Sequence, residues 1–231
     1  MKKTEAIFHT DAVASAGSIP INVKELGVDA LSLAGNQFYG PKGVGALWLK
    51  KGVRIIPFLD GGVQEEGRRA GTENVPAIAG LGKAAELAKA EMGARAERFS
   101  TLRDKLIAGL PSRIEHVTVT GHPTQRLPGN ASFCVEFIEG EAMLMLLNHQ
   151  GIAVSSGSAC TSRALKASHV LIAMGIPHEV AQGSLLFSFG LDSTGEDIDY
   201  VLETMPPIVD RLRQMSPLYA KFLKGQRGGK K

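Results

Sequence analysis

Cysteine and long apolar runs are the scarcest features of this 231-residue chain. Its two cysteines, Cys134 and Cys160, are too few for a disulfide framework or a four-cysteine zinc site. No apolar run approaches the roughly 18 residues that a membrane-spanning helix needs. The start of the chain mimics a secretory signal, but Glu5, His9 and Asp11 interrupt the stretch that would have to be apolar. We therefore expect a cytoplasmic protein with no membrane segment.

Acidic residues are absent from Ser216 to the C-terminus, although the whole chain carries a net charge of only +3 at pH 7. The basic residues of this tail are Lys221, Lys224, Arg227, Lys230 and Lys231. Because the positive balance comes from the tail, the rest of the chain does not resemble a nucleic-acid-binding protein. We expect residues 225–231 to form a solvated, frayed terminus.

Alternating apolar and helical patterns predict an α/β chain. Short apolar runs bounded by turn residues predict strands at residues 29–33, 43–49, 115–120, 131–137 and 184–189. Helical spacing predicts helices after residue 72 and at residues 94–110, 140–149 and 196–214. We predict that Thr72 is a helix N-cap, that Gly93 separates two helices, and that Pro111 ends the second of them. The few strands before Gly93 imply a partial sheet, as in a fragment of a larger fold.

The two cysteines lie in different surroundings. Cys134 sits in the alternating strand 131–137, which favours a structural thiol. Cys160 lies in residues 155–162, where every side chain is small and none can anchor the segment in a core. This pattern favours an exposed loop, in which a cysteine can be a nucleophile, a sulfur carrier or a metal ligand. Composition alone leaves a structural role for Cys160 equally open.

Several motifs, in order along the chain, resemble the cysteine desulfurases of the nitrogen-fixation and iron–sulfur-cluster-assembly type, which are class V aminotransferases. These motifs are His9–Val13, Phe38–Gly45, Arg69–Asn74, Leu127–Asn130, Ser155–Ser162, Asp197–Val201 and Leu212–Leu218. The resemblance covers only the C-terminal part of the family's length. It implies part of the pyridoxal-phosphate (PLP)-dependent transferase fold type I, with a remnant of the large PLP-binding domain at 1–93. The complete small C-terminal α/β domain, with the cysteine loop, would span 94–214, and a basic tail 215–231.

The resemblance also implies a chemistry. In this family a lysine holds PLP as a Schiff base, and the cofactor acts as an electron sink. A loop cysteine then takes sulfur from substrate cysteine, which leaves a persulfide on the enzyme and releases alanine. By this match Cys160 is the persulfide-carrying residue, Asp11 pairs with the pyridine nitrogen, and Thr72 reaches a phosphate across a dimer interface.

Five positions depart from the family pattern at this pocket. Gln37 stands in place of the Schiff-base lysine, and a neutral amide cannot form that linkage. Asn36 replaces a histidine, and Ala34 replaces a phosphate-binding serine. Ala14 replaces a glutamine near the phenolic oxygen, and Leu186 replaces the arginine that would clamp the substrate carboxylate with its two-pronged guanidinium.

These departures predict a pseudoenzyme in which PLP is lost or not covalently bound. Cys160 would remain as a persulfide carrier or an iron–sulfur ligand, serving an iron–sulfur scaffold or another sulfur acceptor. Residues 216–223 keep an apolar-basic pattern suited to docking that partner. The family's dimer interface further implies a homodimer. Two alternatives stay open: an active desulfurase completed by a separate N-terminal chain, which would convert L-cysteine to L-alanine and an enzyme persulfide, and a gene remnant without function.

Overall fold

The computed structural model describes residues 6–156 and 167–228. The chain divides into two compact units, Met1–Ala96 and Glu97–Lys231. The first unit contains β1 (His9–Asp11), α1 (Val23–Leu26), β2 (Ala30–Ala34), a 3₁₀ turn (Gly35–Phe38), β3 (Gly45–Leu49), α2 (Gln64–Gly67) and the first part of α3 (Val75–Arg113). No helix among the described residues has both the length and the apolar character needed to cross a membrane.

The sheet of the first unit has the order β1-β2-β3, with β1 parallel and β3 antiparallel to β2. One face of this sheet is covered by residues 12–28 and by α3. There Leu31 packs with Ala12 and Val28, and Phe38 packs with Ala84 and Ala88. Because successive side chains of a strand point to opposite faces, the residues that alternate with Leu31 lie on the other face of the sheet.

Helix α3 is continuous across Gly93, so the predicted break there is wrong. Arg95 donates from Nη2, at 2.7 Å, and from Nε, at 3.0 Å, to the same carboxylate oxygen of Glu91, and this pair spans the glycine and supports the helix around it. The predicted end at Pro111 is also wrong, since the helix continues to Arg113. Its start is capped by Asn74 rather than Thr72, because the Asn74 side chain accepts the Ala77 amide.

The continuity of α3 can be tested at Gly93. A Cβ added there meets no atom within 4 Å, so Gly93→Ala is expected to raise the free energy of unfolding by about 0.5–1 kcal/mol. The matched control is Gly80→Ala on the same helix, whose Cβ would approach the Pro41 ring to 2.5 Å and is expected to destabilise. Urea unfolding followed by circular dichroism measures both. A destabilising Gly93→Ala would argue for a break at this residue.

The second unit is an antiparallel sheet in the order β4-β5-β6, packed against helices. Its elements are the end of α3, β4 (Val117–Val119), β5 (Asn130–Val135), α4 (Gly140–His149), α5 (His169–Ala173), α6 (His178–Ala181), β6 (Ser184–Ser188), α7 (Gly195–Gln214) and α8 (Pro217–Gly228). Fully buried side chains from α3, β5, α4, β6 and α7 meet in one core; they include Leu106, Phe133, Met143, Leu185 and Met205. Helix α7 begins with a capping box between Thr194 and Asp197.

Helix α8 is held by an aromatic cluster around a buried arginine. Phe137 leaves β5 with a φ of 72°, so the prediction that it continues the strand is wrong, and its ring lies 4.7 Å from that of Phe222. The Arg213 guanidinium lies over the rings of Phe137 and Tyr219. These contacts hold the first half of α8, and the helix extends to Gly228. Residues 225–228 are therefore helical, and the prediction of a frayed terminus stays a prediction.

Candidate functional site

The candidate site lies where β1 and β2 end, at the same edge of the first sheet. The two strands are parallel, with Asp11 opposite Ser32. The Ala12 amide donates to the Ser32 carbonyl at 2.9 Å, which holds the chain after β1 against β2. Since parallel strands end at a common edge, Asp11 and the turn that follows Ala34 are brought to the same side of the sheet.

A tight 3₁₀ turn presents Asn36 and Gln37 at this edge. The Gly35 amide donates to the Val44 carbonyl at 3.0 Å, and the Gly40 amide donates to the Gly35 carbonyl at 2.8 Å. Phe38 is buried and anchors the turn, whereas Asn36 and Gln37 are exposed. The turn is therefore fully formed with an amide side chain at position 37.

The Asp11 carboxylate is exposed and engaged by the chain that follows it. Its Oδ1 accepts the Val13 amide at 2.8 Å. On the same face, His9 Nε2 lies 3.0 Å from Ser32 Oγ. The sequence reasoning missed this His9–Ser32 pair, because its only signal was the alternation of His9 with Asp11, and the partner strand's register was unknown. The pair places an imidazole ring on the same strand face as Asp11.

The residues at this edge do not fit PLP held through a Schiff base. The linkage needs a primary amine, and the position that the resemblance matches to the Schiff-base lysine carries the Gln37 carboxamide. The methyl groups of Ala34 and Ala14 offer no hydrogen-bond donor where the family pattern has serine and glutamine. By the resemblance, Asp11 is the one of these positions that matches the family pattern.

Thr72 and Leu186 lie in different units. Thr72 is exposed in the segment that precedes α3. Leu186 is half-buried in β6, where its amide donates to the Ser155 carbonyl at 2.7 Å and its carbonyl accepts the Ser155 amide at 3.1 Å. These two bonds fix the beginning of the segment 155–162 to the second sheet. Cys160 itself lies outside the described residues.

The other thiol, Cys134, is fully buried in β5 among Leu171 and Ala181, which confirms its predicted structural position. Burial raises the pKa of the Cys134 thiol to about 11, since an apolar environment disfavours the thiolate. At pH 8 only about one molecule in a thousand would carry the reactive thiolate. Among the described residues no group of three or more His, Cys, Asp or Glu side chains could hold a metal ion.

This burial makes a prediction for thiol titration at pH 8. In a Cys160→Ser variant, the remaining Cys134 should react with an aromatic disulfide reagent only slowly in the native state, because it is both buried and protonated. In guanidinium chloride one thiol per chain should react at once. Fast reaction of the native variant would show that Cys134 is accessible.

Comparisons with known proteins identify the same family that the motifs resemble. The family model described as "Aminotransferase class-V" matches residues 1–201. The cysteine desulfurase IscS of Methanosarcina thermophila is 55% identical over 95% of this chain and 54% of its own length. A cysteine desulfurase of Gluconacetobacter diazotrophicus is 52% identical over 93% of this chain and 54% of its own length.

A solved structure of a NifS-like protein superposes with a TM-score of 0.80 at 36% identity, over 91% of this chain and 54% of that protein. The expected partial PLP-transferase fold is therefore confirmed. The chain spans about half the length of the curated relatives that it matches.

Proposed function

Since this chain belongs to the class-V aminotransferase family, we propose that it is a cysteine desulfurase-like protein without PLP catalysis that handles sulfur through Cys160. The proposal separates two functions that the family combines. The first is cofactor-dependent release of sulfur from cysteine, and the second is transport of that sulfur on a loop cysteine. The chain would have lost the first and kept the second.

The first part of the proposal, the loss of PLP catalysis, rests on Gln37. The turn around it is fully formed, with its glycine hydrogen bonds and its buried Phe38 in place. The glutamine is therefore a change of chemistry within an intact local fold. An amide nitrogen is delocalised into its carbonyl and cannot add to an aldehyde as an amine does. Covalent catalysis through this position is excluded before any other group is considered.

Cys160 carries the second half, because the motif 155–162 matches the family while the pocket departs from it. A cysteine thiolate can take sulfur without any cofactor. It attacks the outer sulfur of a donor persulfide R–S–SH, forming Cys–S–SH and releasing R–S⁻, so that atoms and charge balance. The same thiolate could instead ligate an iron–sulfur cluster as cargo. The bonds between Ser155 and Leu186 fix one end of this segment, which supports a defined base for the loop.

A sulfur carrier needs an acceptor, and α8 supports a docking role. Tyr219 and Phe222 face the aromatic cluster, while Leu218 and Leu223 are exposed beside Lys221 and Lys224. An apolar-basic surface of this kind suits an acidic protein partner. An iron–sulfur scaffold or another sulfur-acceptor protein is the partner we propose.

A homodimer forms part of the proposed assembly. The segment between β3 and α3 exposes Ile56 at 94% and Phe58 at 98%. Side chains this apolar and this exposed mark an interaction surface. Thr72 lies in the same segment, and the resemblance implies that it reaches across a dimer interface. Both observations support a second copy of the chain that covers this segment.

Reduction with borohydride in the presence of PLP tests the loss of covalent catalysis. The native chain is expected to yield no cofactor adduct at residue 37 and no single lysine labelled at about one equivalent per chain, because no amine stands at position 37; scattered minor labelling of exposed lysines is the background of the reagent. Gln37→Lys is the matched comparison, since position 37 is exposed and a lysine fits there without disturbing the turn. Labelling of one other lysine at about one equivalent per chain, located by peptide mapping, would contradict the proposal and favour an active enzyme.

A further inference from the structure

The His9–Ser32 pair on the first sheet brings an imidazole and a serine hydroxyl together, and the proposed function uses neither. His9 begins β1, and Ser32 lies in β2. The register places Ser32 opposite Asp11, so the His9 ring reaches diagonally across the two parallel strands, with its Nε2 3.0 Å from Ser32 Oγ. His9 is exposed and Ser32 is half-buried. The pair is therefore open to a molecule that approaches from solvent.

The pair has the composition of a nucleophile and its general base. A serine hydroxyl is a weak nucleophile by itself, and it becomes reactive when an adjacent base accepts its proton. The observed 3.0 Å between Nε2 and Oγ lies within the reach of about 2.6–3.2 Å that such a proton transfer requires. A neutral imidazole has one acceptor nitrogen, and Ser32 donates to Nε2 when the ring proton is on Nδ1. The contact therefore supports activation of Ser32 by His9.

Asp11 adds a carboxylate to the same strand face. It ends β1 two residues after His9, and two residues along a strand span about 6.6 Å with both side chains on one face. Its Oδ1 accepts the Val13 amide at 2.8 Å, which holds the carboxylate at the carboxyl edge of the sheet. A negative charge near His9 favours the imidazolium that forms when the ring takes the serine proton. The same charge disfavours an anionic substrate.

The position of the pair in the sheet also suits a small molecule. In open α/β sheets, ligands bind outside the carboxyl ends of the parallel strands. The strands β1 and β2 are parallel, and the Ala12 amide holds the chain after β1 against the Ser32 carbonyl at 2.9 Å. A nucleophile and a base placed near this edge can therefore meet a ligand bound there.

We propose that the His9–Ser32 pair is an acyl-transfer site that hydrolyses uncharged carboxylic esters with a good leaving group. Ser32 Oγ bonds to the acyl carbon, and the ester C–O bond breaks. His9 Nε2 takes the hydroxyl proton and returns it to the leaving oxygen, so that an alcohol departs. Water, which gives a proton to the same nitrogen, then cleaves the acyl-serine to a carboxylic acid and restores Ser32. The site goes beyond the proposed function and does not depend on sulfur handling at Cys160.

Labelling with a fluorophosphonate tests the nucleophile, because such a probe phosphonylates an activated serine and releases fluoride. The native chain is expected to take up about one label per molecule, which mass spectrometry should locate on the peptide that contains Ser32. Ser32→Ala should remove the label. His9→Gln should slow the labelling about 100-fold, because a carboxamide can hydrogen-bond to the hydroxyl but cannot take its proton. The native measurement needs no variant, so a poorly folded variant does not decide the result.

Hydrolysis of 4-nitrophenyl acetate tests turnover at the same site. It is measured in the Cys160→Ser chain, so that this thiol does not contribute. Adding Ser32→Ala is expected to lower the release of nitrophenolate about tenfold or more. The matched control is Ser15→Ala, since Ser15 is a half-buried serine of the same unit whose Oγ donates to the Ala12 carbonyl at 3.2 Å instead of to a histidine. This control should leave both readouts unchanged, and circular dichroism checks that each variant is folded.

Three results would overturn the inference. The first is a folded native chain that takes up no label on Ser32. The second is labelling of His9→Gln at the native rate, since Ser32 would then react without its base. The third is ester hydrolysis that Ser32→Ala leaves unchanged. These assays contain no PLP, persulfide or iron, so their failure is distinct from failure of the proposed function.

Discussion

Replacing Cys160 by serine is expected to reduce protein-bound sulfane sulfur from about one atom per chain to background. The protein is incubated with a small-molecule persulfide, freed of excess donor, and assayed for sulfur released by cyanide. The reason is chemical, because a serine hydroxyl is not ionised at neutral pH and cannot displace a thiolate from a persulfide. Mass spectrometry should find the added sulfur on the peptide that contains residue 160.

The matched control for this prediction is Cys134→Ala. Cys134 is fully buried and burial raises its pKa to about 11, so it contributes almost no thiolate at neutral pH. The variant should therefore keep the full sulfane sulfur of the native protein. If Cys134→Ala lost the sulfane sulfur and Cys160→Ser kept it, Cys134 would be the sulfur carrier. That result would contradict our assignment of this role to Cys160.

Replacing Arg213 by alanine is expected to lower the free energy of unfolding of the second unit by about 3 kcal/mol or more. Arg213 is 5% exposed, and burial lowers the pKa of its guanidinium. The guanidinium donates to the carbonyls of Glu115, at 2.7 Å, and Glu136, at 3.4 Å. Removing it leaves these partly buried carbonyls without this donor and uncovers the aromatic rings that hold α8.

The comparison variant is Arg211→Ala, which removes an exposed arginine from the same helix. Urea unfolding followed by circular dichroism should show little change for Arg211→Ala, because exposed charges contribute little to stability. Limited proteolysis should cut α8 faster in Arg213→Ala than in the native chain. A loss of stability below about 1 kcal/mol would mean that the Arg213 contacts are dispensable.

The sequence predicted the elements of the fold better than their junctions. A short apolar run identified β2 and apolar alternation identified β5, because burial imposes such patterns directly. The continuity of α3 across Gly93 could not be predicted, since glycine in a helix interior costs only about 1 kcal/mol and the neighbouring Glu91–Arg95 pair offsets part of it. The departure of Phe137 from its strand depends on Arg213 and Tyr219, which are remote in sequence.

The candidate site was predicted only in part for similar reasons. The resemblance identified Asp11 and Gln37, and the strand register of the structure explains why they share one edge. The His9–Ser32 pair required that register and could not be found by motif. The segment around Cys160 lies outside the described residues, so its role rests on the motif and on the Ser155–Leu186 bonds at its base.

The central claim is that this chain carries sulfur on Cys160 but does not catalyse the release of sulfur from L-cysteine. The most direct measurement is alanine formation from L-cysteine by the purified chain with added PLP, alongside Cys160→Ser. Our account predicts that alanine stays at the level of the protein-free blank for both proteins, because the Gln37 amide cannot replace the lysine. Alanine formed by the native chain and lost in Cys160→Ser would contradict the account and establish an active desulfurase.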